Sequence, residues 1–263
     1  MQVKPKKHLG QHFLTDANTA RKIADSVDID SPQPKNVLEI GPGTGALTKF
    51  LLEKDKINLK VMEVDRESIA FLNENYPQLA GNIIPADFLK TDLTEVFSGE
   101  EFTVAGNFPY NISSQILFHC IEHRNLVPQI TGMFQKELAE RAAEKPGTKK
   151  YGVLSVLLQA YYDIEYCFTV GKGVFNPPPK VDSGVIRCIR HKRPLNCDEV
   201  LFKKIVKATF NVRRKTVRNG LKPILNGLSI EHPFMNLRPE KLSVIDFVQL
   251  TNLCADLIGN NSQ

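Results

Sequence analysis

No stretch of the chain stays apolar over anything near the roughly 18 residues that a membrane-spanning helix requires. The polar, basic start also lacks the apolar core of a signal peptide. A membrane-spanning helix is therefore not expected, and a cytoplasmic protein is. Cysteine is scarce: Cys120, Cys167, Cys188, Cys197 and Cys254 form no CxxC pair, and 5 is an odd number. Neither a disulfide framework nor a zinc site fits that pattern, so these read as reduced, mostly buried thiols. His119 and His123 share one helix face without a third ligand nearby, and no metal is expected.

What remains is ordinary for a globular protein: 42% hydrophobic and 24% charged over 263 residues. One large domain and one small one are expected. The charge is unevenly distributed, since His191 onward holds 12 Lys and Arg against 6 Asp and Glu while the preceding 190 residues hold 22 against 23. A basic tail on a near-neutral body points to a polyanion partner, with a solvated helix face as the alternative.

The organising stretch is Asn36-Val37-Leu38-Glu39-Ile40-Gly41-Pro42-Gly43-Thr44-Gly45. An apolar strand runs into a glycine-rich turn, and Ala46, Leu47, Phe50 and Leu51 then recur at helical spacing. Gly41, Gly43 and Gly45 let the backbone turn tightly and approach a ligand. A dinucleotide site spaces its glycines G-x-G-x-x-G. Here the third comes one residue early, and the pattern resembles the first motif of S-adenosylmethionine-dependent methyltransferases.

A second strand, Leu59–Asp65, ends in acids about twenty residues past the glycines, where a carboxylate can accept from both hydroxyls of a ribose. Glu63 is the first choice. Asp65 is the second, because it could equally cap the helix that starts at Arg66. The third strand leads to Asp87 and Phe88, an acceptor for an adenine amine and a border for its ring, unless Asp87 is an ordinary turn residue.

The fourth strand delivers Asn107-Phe108-Pro109-Tyr110 at its carboxyl edge, where open α/β sheets place their chemistry. An exocyclic base amine is a poor nucleophile because its lone pair is delocalised into the ring. Acceptors around its two N–H groups, the Asn107 side-chain oxygen and the Phe108 or Pro109 carbonyl, favour the pyramidal amine of the transition state. Pro109 stiffens the backbone and Tyr110 offers a flat face to an extruded base. Asn111 could instead cap the following helix.

Further on, Pro177-Pro178-Pro179 imposes a rigid extended segment. It could hold Phe175 against a flipped base while Lys180 meets a phosphate, or lead into the last strand with Phe175 in the core. The loop Lys145–Lys150 could touch phosphate or be solvated. Near the chain start, Phe13 and Leu14 precede a helix that Thr15 or Asp16 could cap. They could pack on the domain beneath or lie over the cofactor as a lid. Past His191, helical spacing continues through Phe210. The run Arg213, Arg214, Lys215 and Arg218 suits a helix laid along a phosphate backbone.

Taken together, Gly10–Leu14, Glu39–Gly45, Asn107–Tyr110, Phe175–Ser183 and Phe210–Asn219 make the chain resemble, over nearly its whole length, the small-subunit ribosomal RNA adenine N6,N6-dimethyltransferases. The resemblance implies an α/β fold: a Rossmann-like class I methyltransferase sheet with helices on both faces, plus a small all-helical C-terminal domain. Residues 1–190 would form the methyltransferase domain with a basic arm, and 191–263 the RNA-binding domain. The implied cofactor is S-adenosyl-L-methionine, contacted by His12, Leu14, Gly41, Glu63, Asp87 and Asn107. The implied substrate is a pair of adjacent adenosines near the 3′ end of small-subunit RNA in an assembling 30S-type particle. A monomer is expected. The chain departs from the commonest form at His12, where asparagine is frequent, and at Phe108, where leucine is frequent. Two rival readings are a methyltransferase for a large-subunit RNA adenine and an assembly factor that binds RNA without turnover.

Overall fold

The computed structural model describes residues 3–27 and 35–260, which gather into two compact units. The first runs to Glu140 and includes Asp163–Arg190; the second comprises Arg141–Tyr162 and the chain from His191 on. Met1 and Gln2 of the basic arm lie outside the described residues. Among the described residues, no helix is long and apolar enough to cross a membrane.

The first unit opens with β1 (Phe13–Leu14) and α1 (Ala17–Asp25), whose N-cap Asp16 accepts from the Thr19 backbone N–H at 2.7 Å. There follow β2 (Lys35–Ile40), α2 (Thr48–Leu52), β3 (Ile57–Met62), α3 (Arg66–Asn75), β4 (Ile83–Ile84), α4 (Leu93–Val96), β5 (Thr103–Asn107), α5 (Ser113–Glu122) and β6 (Gln129–Gln135). The helix α6 (Lys136–Ala143) crosses into the second unit, which contains α7 (Val153–Gln159). The first unit is completed by β7 (Tyr162–Val170), β8 (Phe175–Asn176) and β9 (Ser183–Arg190).

The main sheet has the order β4-β3-β2-β5-β6-β9-β7, with β4 through β6 parallel and β9 antiparallel to β6. Parallel strands are covered on both faces, which is why Val37, Leu38, Val61 and Val104 are all fully buried. The strand order reverses between β2 and β5, so a crevice opens beyond their carboxyl ends. Gly41 leaves one of these strands and Asn107 ends the other. Two mid-strand glycines bring the chains close there: a Cβ on Gly106 would lie 2.7 Å from the Ile40 carbonyl, and one on Gly132 2.2 Å from the Gly106 carbonyl.

In the second unit, α8 (Glu199–Asn211), α9 (Val217–Leu225) and α10 (Val244–Asn260) bury Phe202, Ile205, Val206, Leu221, Phe247 and Leu250. Residues 141–162, which a single boundary at His191 leaves with the first domain, belong with these helices. Ser155 donates to the Arg141 carbonyl at 2.6 Å, and Gly147 N–H to the Glu240 carbonyl at 2.6 Å. The basic run departs from expectation: α8 ends at Asn211 and α9 starts at Val217, so Arg213, Arg214 and Lys215 form the turn between them rather than a helix face. Cations just past a helix C-terminus meet the negative end of its dipole, and Thr216, extended, resets the backbone for α9.

Candidate active site

The glycine turn leaves β2 with Gly41, Gly43 and Gly45 all at positive φ (+64°, +56° and +79°), a region that side chains with a Cβ seldom enter. Close neighbours fill the space that a side chain would need. A Cβ on Gly43 would sit 2.9 Å from the Phe13 ring, and one on Gly45 2.5 Å from the ring of Tyr76. Beside the turn lies a cavity of about 200 Å³. His12, Leu14, Gly41, Gly43, Glu63, Asp87, Asn107, Phe108, Pro109 and Tyr110 all line it, as the sequence predicts for a common site.

Two buried carboxyl groups face this cavity. Glu63, just past β3, accepts the Gly43 N–H at 3.1 Å on one oxygen and those of Val64 and Asp65 at 2.8 and 2.9 Å on the other. Burial raises its pKa despite those donors. Glu39, which sequence reasoning took as part of the motif and not as a site residue, also lines the cavity. It is 1% exposed, accepts from the Thr48 hydroxyl at 2.7 Å, and is pushed by burial up to about 8. An acid inside an otherwise apolar strand was the signal for it. Asp65 caps α3 and pairs with Lys6, leaving Glu63 as the acid at the cavity.

The arm forms the opposite wall. Phe13 and Leu14 pair with Asn176 and Phe175, and the Thr15 N–H donates to the Val174 carbonyl at 2.8 Å. Of the two readings of the apolar pair, packing on the domain beneath holds for Leu14, which enters the core, while the Phe13 ring lies against Gly43. Asn107 Nδ2 donates to the His12 carbonyl at 3.0 Å. A carbonyl only accepts, so this bond fixes the amide with its nitrogen toward the arm and keeps Oδ1 as an acceptor. The Pro109 carbonyl already accepts from the Ser113 hydroxyl at 2.8 Å and the Ile112 N–H at 3.3 Å. Of the two candidate carbonyls, that of Phe108 is therefore the less committed. The Phe108 ring is buried against Phe134, 4.6 Å between centroids, over Gly106 and Gly132. Tyr110 is tied by its hydroxyl to Ser183, and burial raises its pKa.

Other expected residues lie elsewhere. Gly45, the last glycine of the turn, faces the Tyr76 ring and does not line the cavity. Phe88 turns inward, 3% exposed, edge-on to His119 at 5.0 Å, and Leu89 takes the place at the cavity that Phe88 was expected to hold. Phe175 is 5% exposed in the core cluster with Leu14, away from the cavity, which is the core alternative of the sequence reading. Lys180 is exposed, beside Lys136, Lys172 and Asp182 at a separate shallow cleft. Asn111 does not cap α5; its amide approaches the His8 carbonyl at 3.5 Å. The rings of His119 and His123 pack at a tilt of 51° with centroids 4.4 Å apart, and burial lowers the pKa of His119. In the second unit, Arg214 and Lys215 are exposed. Arg213 donates to the Thr148 carbonyl at 3.2 Å, and Arg218 lies 3.6 Å from Glu231.

The acceptor set suits the hydroxyls and amine of a nucleoside-type ligand. Glu63 and Asp87 offer carboxylate oxygens beside the glycine turn. Asp87 is half-buried, with one oxygen taking the Leu89 N–H at 3.0 Å and the other near Lys90.

Residues 2–256 match the model of the family described as ribosomal RNA adenine dimethylase. The chain is 56% identical to the ribosomal RNA small subunit methyltransferase A of Bacteroides thetaiotaomicron, covering 95% of this chain and 94% of that protein. It is 52% identical to the protein of the same name from Flavobacterium johnsoniae, covering 95% of each. The fold resembles a dimethyladenosine transferase from Plasmodium falciparum (TM-score 0.76, 26% identity, 95% and 98% of the chains). It also resembles the 23S rRNA methyltransferase ErmE (TM-score 0.65, 25% identity, 91% and 99%).

Proposed function

The chain belongs to the ribosomal RNA adenine dimethylase family. From that premise we propose that it transfers methyl groups from S-adenosyl-L-methionine to the N6 amines of two adjacent adenosines near the 3′ end of small-subunit ribosomal RNA. Each adenosine is dimethylated, within an assembling 30S-type particle. The protein acts as a monomer in the cytoplasm, with residues 1–140 and 163–190 carrying the chemistry and the helical unit of 141–162 and 191–263 binding RNA.

The observation that carries this reading is the locked amide of Asn107 beside the glycine turn. The cofactor, when bound, supplies an electrophilic methyl group on a sulfonium. Gly41 and Gly43 admit it closely, Glu63 accepts from its ribose hydroxyls, Asp87 accepts from its adenine amine, and His12 and Leu14 close over it from the arm. Asn107 Oδ1 and the Phe108 carbonyl accept from the two N–H groups of the target amine. They thereby draw its lone pair out of conjugation and hold it in line for attack. Pro109 keeps that backbone stiff, and Tyr110 stacks on the extruded base. No strong base is needed, because the amine becomes acidic only once methylated. Phe175 acts from the core, pairing with Leu14 to hold the arm. Lys180, Arg214, Lys215 and Arg218 meet RNA phosphates.

Incubation with labelled S-adenosyl-L-methionine and unmethylated small subunits, followed by digestion to nucleosides, tests the reading. The expected product is N6,N6-dimethyladenosine. Label released only in nucleosides other than methylated adenosine, or no label in RNA at all, refutes it.

A further inference from the structure

We propose that Ser183 is a positioning residue for methyl transfer, its hydroxyl fixing the angle of the Tyr110 ring against which the target base stacks. The inference rests on the transfer reading above and deepens it. Ser183 opens β9 and is fully buried, and its hydroxyl is bound to the Tyr110 phenol. A buried hydroxyl without a partner is costly, so this bond is strongly selected in the folded state. Tyr110 is half-buried, and its ring also leans on His12, with centroids 5.2 Å apart and an interplanar angle of 32°. His12 is itself held, since its Nδ1 donates to the Pro177 carbonyl at 2.8 Å. The ring is thus gripped at its tip by Ser183 and along its side by His12.

The sheet then ties that grip to the amine-binding group. Asn107 lies opposite Met133, Met133 opposite Val185, and Ser183 is two residues along the same strand, opposite Gln135. Asn107, which grips the amine, and Ser183, which aims the stacking face, are therefore set by one three-strand ladder. Stacking alone leaves a base free to turn in its own plane. Together with the Asn107 and Phe108 acceptors, a fixed ring defines the plane in which the amine attacks.

The test is a double-mutant cycle of Ser183→Ala and Tyr110→Phe, with small subunits as substrate and cofactor affinity measured separately. Ser183→Ala should lower kcat by about three- to tenfold, the effect of one hydrogen bond, while cofactor affinity stays within about twofold. In the Tyr110→Phe background the same substitution should change nothing. Wild-type turnover by Ser183→Ala, additive losses in the double variant, or a loss confined to cofactor affinity would each overturn the proposal. Should Ser183→Ala fail to fold, Tyr110→Phe removes the same bond from the other side. Unchanged turnover in that variant overturns the proposal equally. A wild-type protein that methylates no RNA would refute the transfer reading instead.

Discussion

Replacing Asn107 separates two jobs that its side chain performs. Nδ2 holds the arm through the His12 carbonyl, and Oδ1 is the acceptor assigned to the target amine. Asn107→Ala removes both. Loss of one preorganised transition-state contact lowers turnover by about 100- to 1,000-fold. Loss of the bond to His12, about 1 kcal/mol, weakens cofactor binding by about fivefold. Asn107→Asp keeps the acceptor but sets a carboxylate against the His12 carbonyl, 3.0 Å from the present nitrogen. That variant should bind cofactor worse than Asn107→Ala yet transfer methyl faster once saturated. RNA affinity should stay near wild type in both. Calorimetry for the cofactor and single-turnover transfer to small subunits measure the two quantities independently. If RNA affinity and turnover fall together in Asn107→Ala, or if the two variants are equally slow at saturating cofactor, then Asn107 merely holds the fold.

Glu63→Gln leaves one of the Gly43, Val64 and Asp65 N–H groups facing an amide nitrogen, and cofactor affinity should fall by about tenfold or more by calorimetry, with the helical content of the protein unchanged. Glu39, raised from 4.5 to about 8, holds in the folded state a proton that the unfolded chain releases. Its contribution is full below about pH 4.5 and declines as pH climbs to about 8, a loss of several kcal/mol, so Glu39→Gln should flatten that decline in urea unfolding across the window. Arg214→Gln should reduce the log–log salt slope of RNA binding by about one unit, whereas Arg213→Gln, which loses the bond to the Thr148 carbonyl, should chiefly lower the melting temperature. An unchanged slope in Arg214→Gln counts against the turn as an RNA contact.

The parts of the site carried by single runs of chain were legible before the structure. The glycine turn, Glu63 and Asn107–Tyr110 each follow directly from a strand end, and their meeting follows from parallel strands flanking the point where the order reverses. Aromatic residues were less so. Phe88 and Phe175 sit at strand ends like Tyr110, and periodicity does not say which of these rings turns into the core. Gly106 and Gly132 could have been read as a place of close backbone approach, which in turn explains the room for the Phe108 ring. The turn at Arg213 was masked because apolar spacing runs to Phe210 and the cations behind it look like one more helical face. The pairing of Phe13 and Leu14 with Asn176 and Phe175 is two residues long and carries no sequence pattern of its own.

That short pairing has a consequence for synthesis. The wall of the cavity at His12–Thr15 is held by Val174–Pro177, and the Tyr110 ring by Ser183, all more than seventy residues downstream of the groups they secure. A chain emerging from the ribosome exposes its glycine turn and its Asn107 long before either clasp exists. The pocket therefore matures late, and a stalled nascent chain that stops short of the proline run should have no tight hold on the methyl donor.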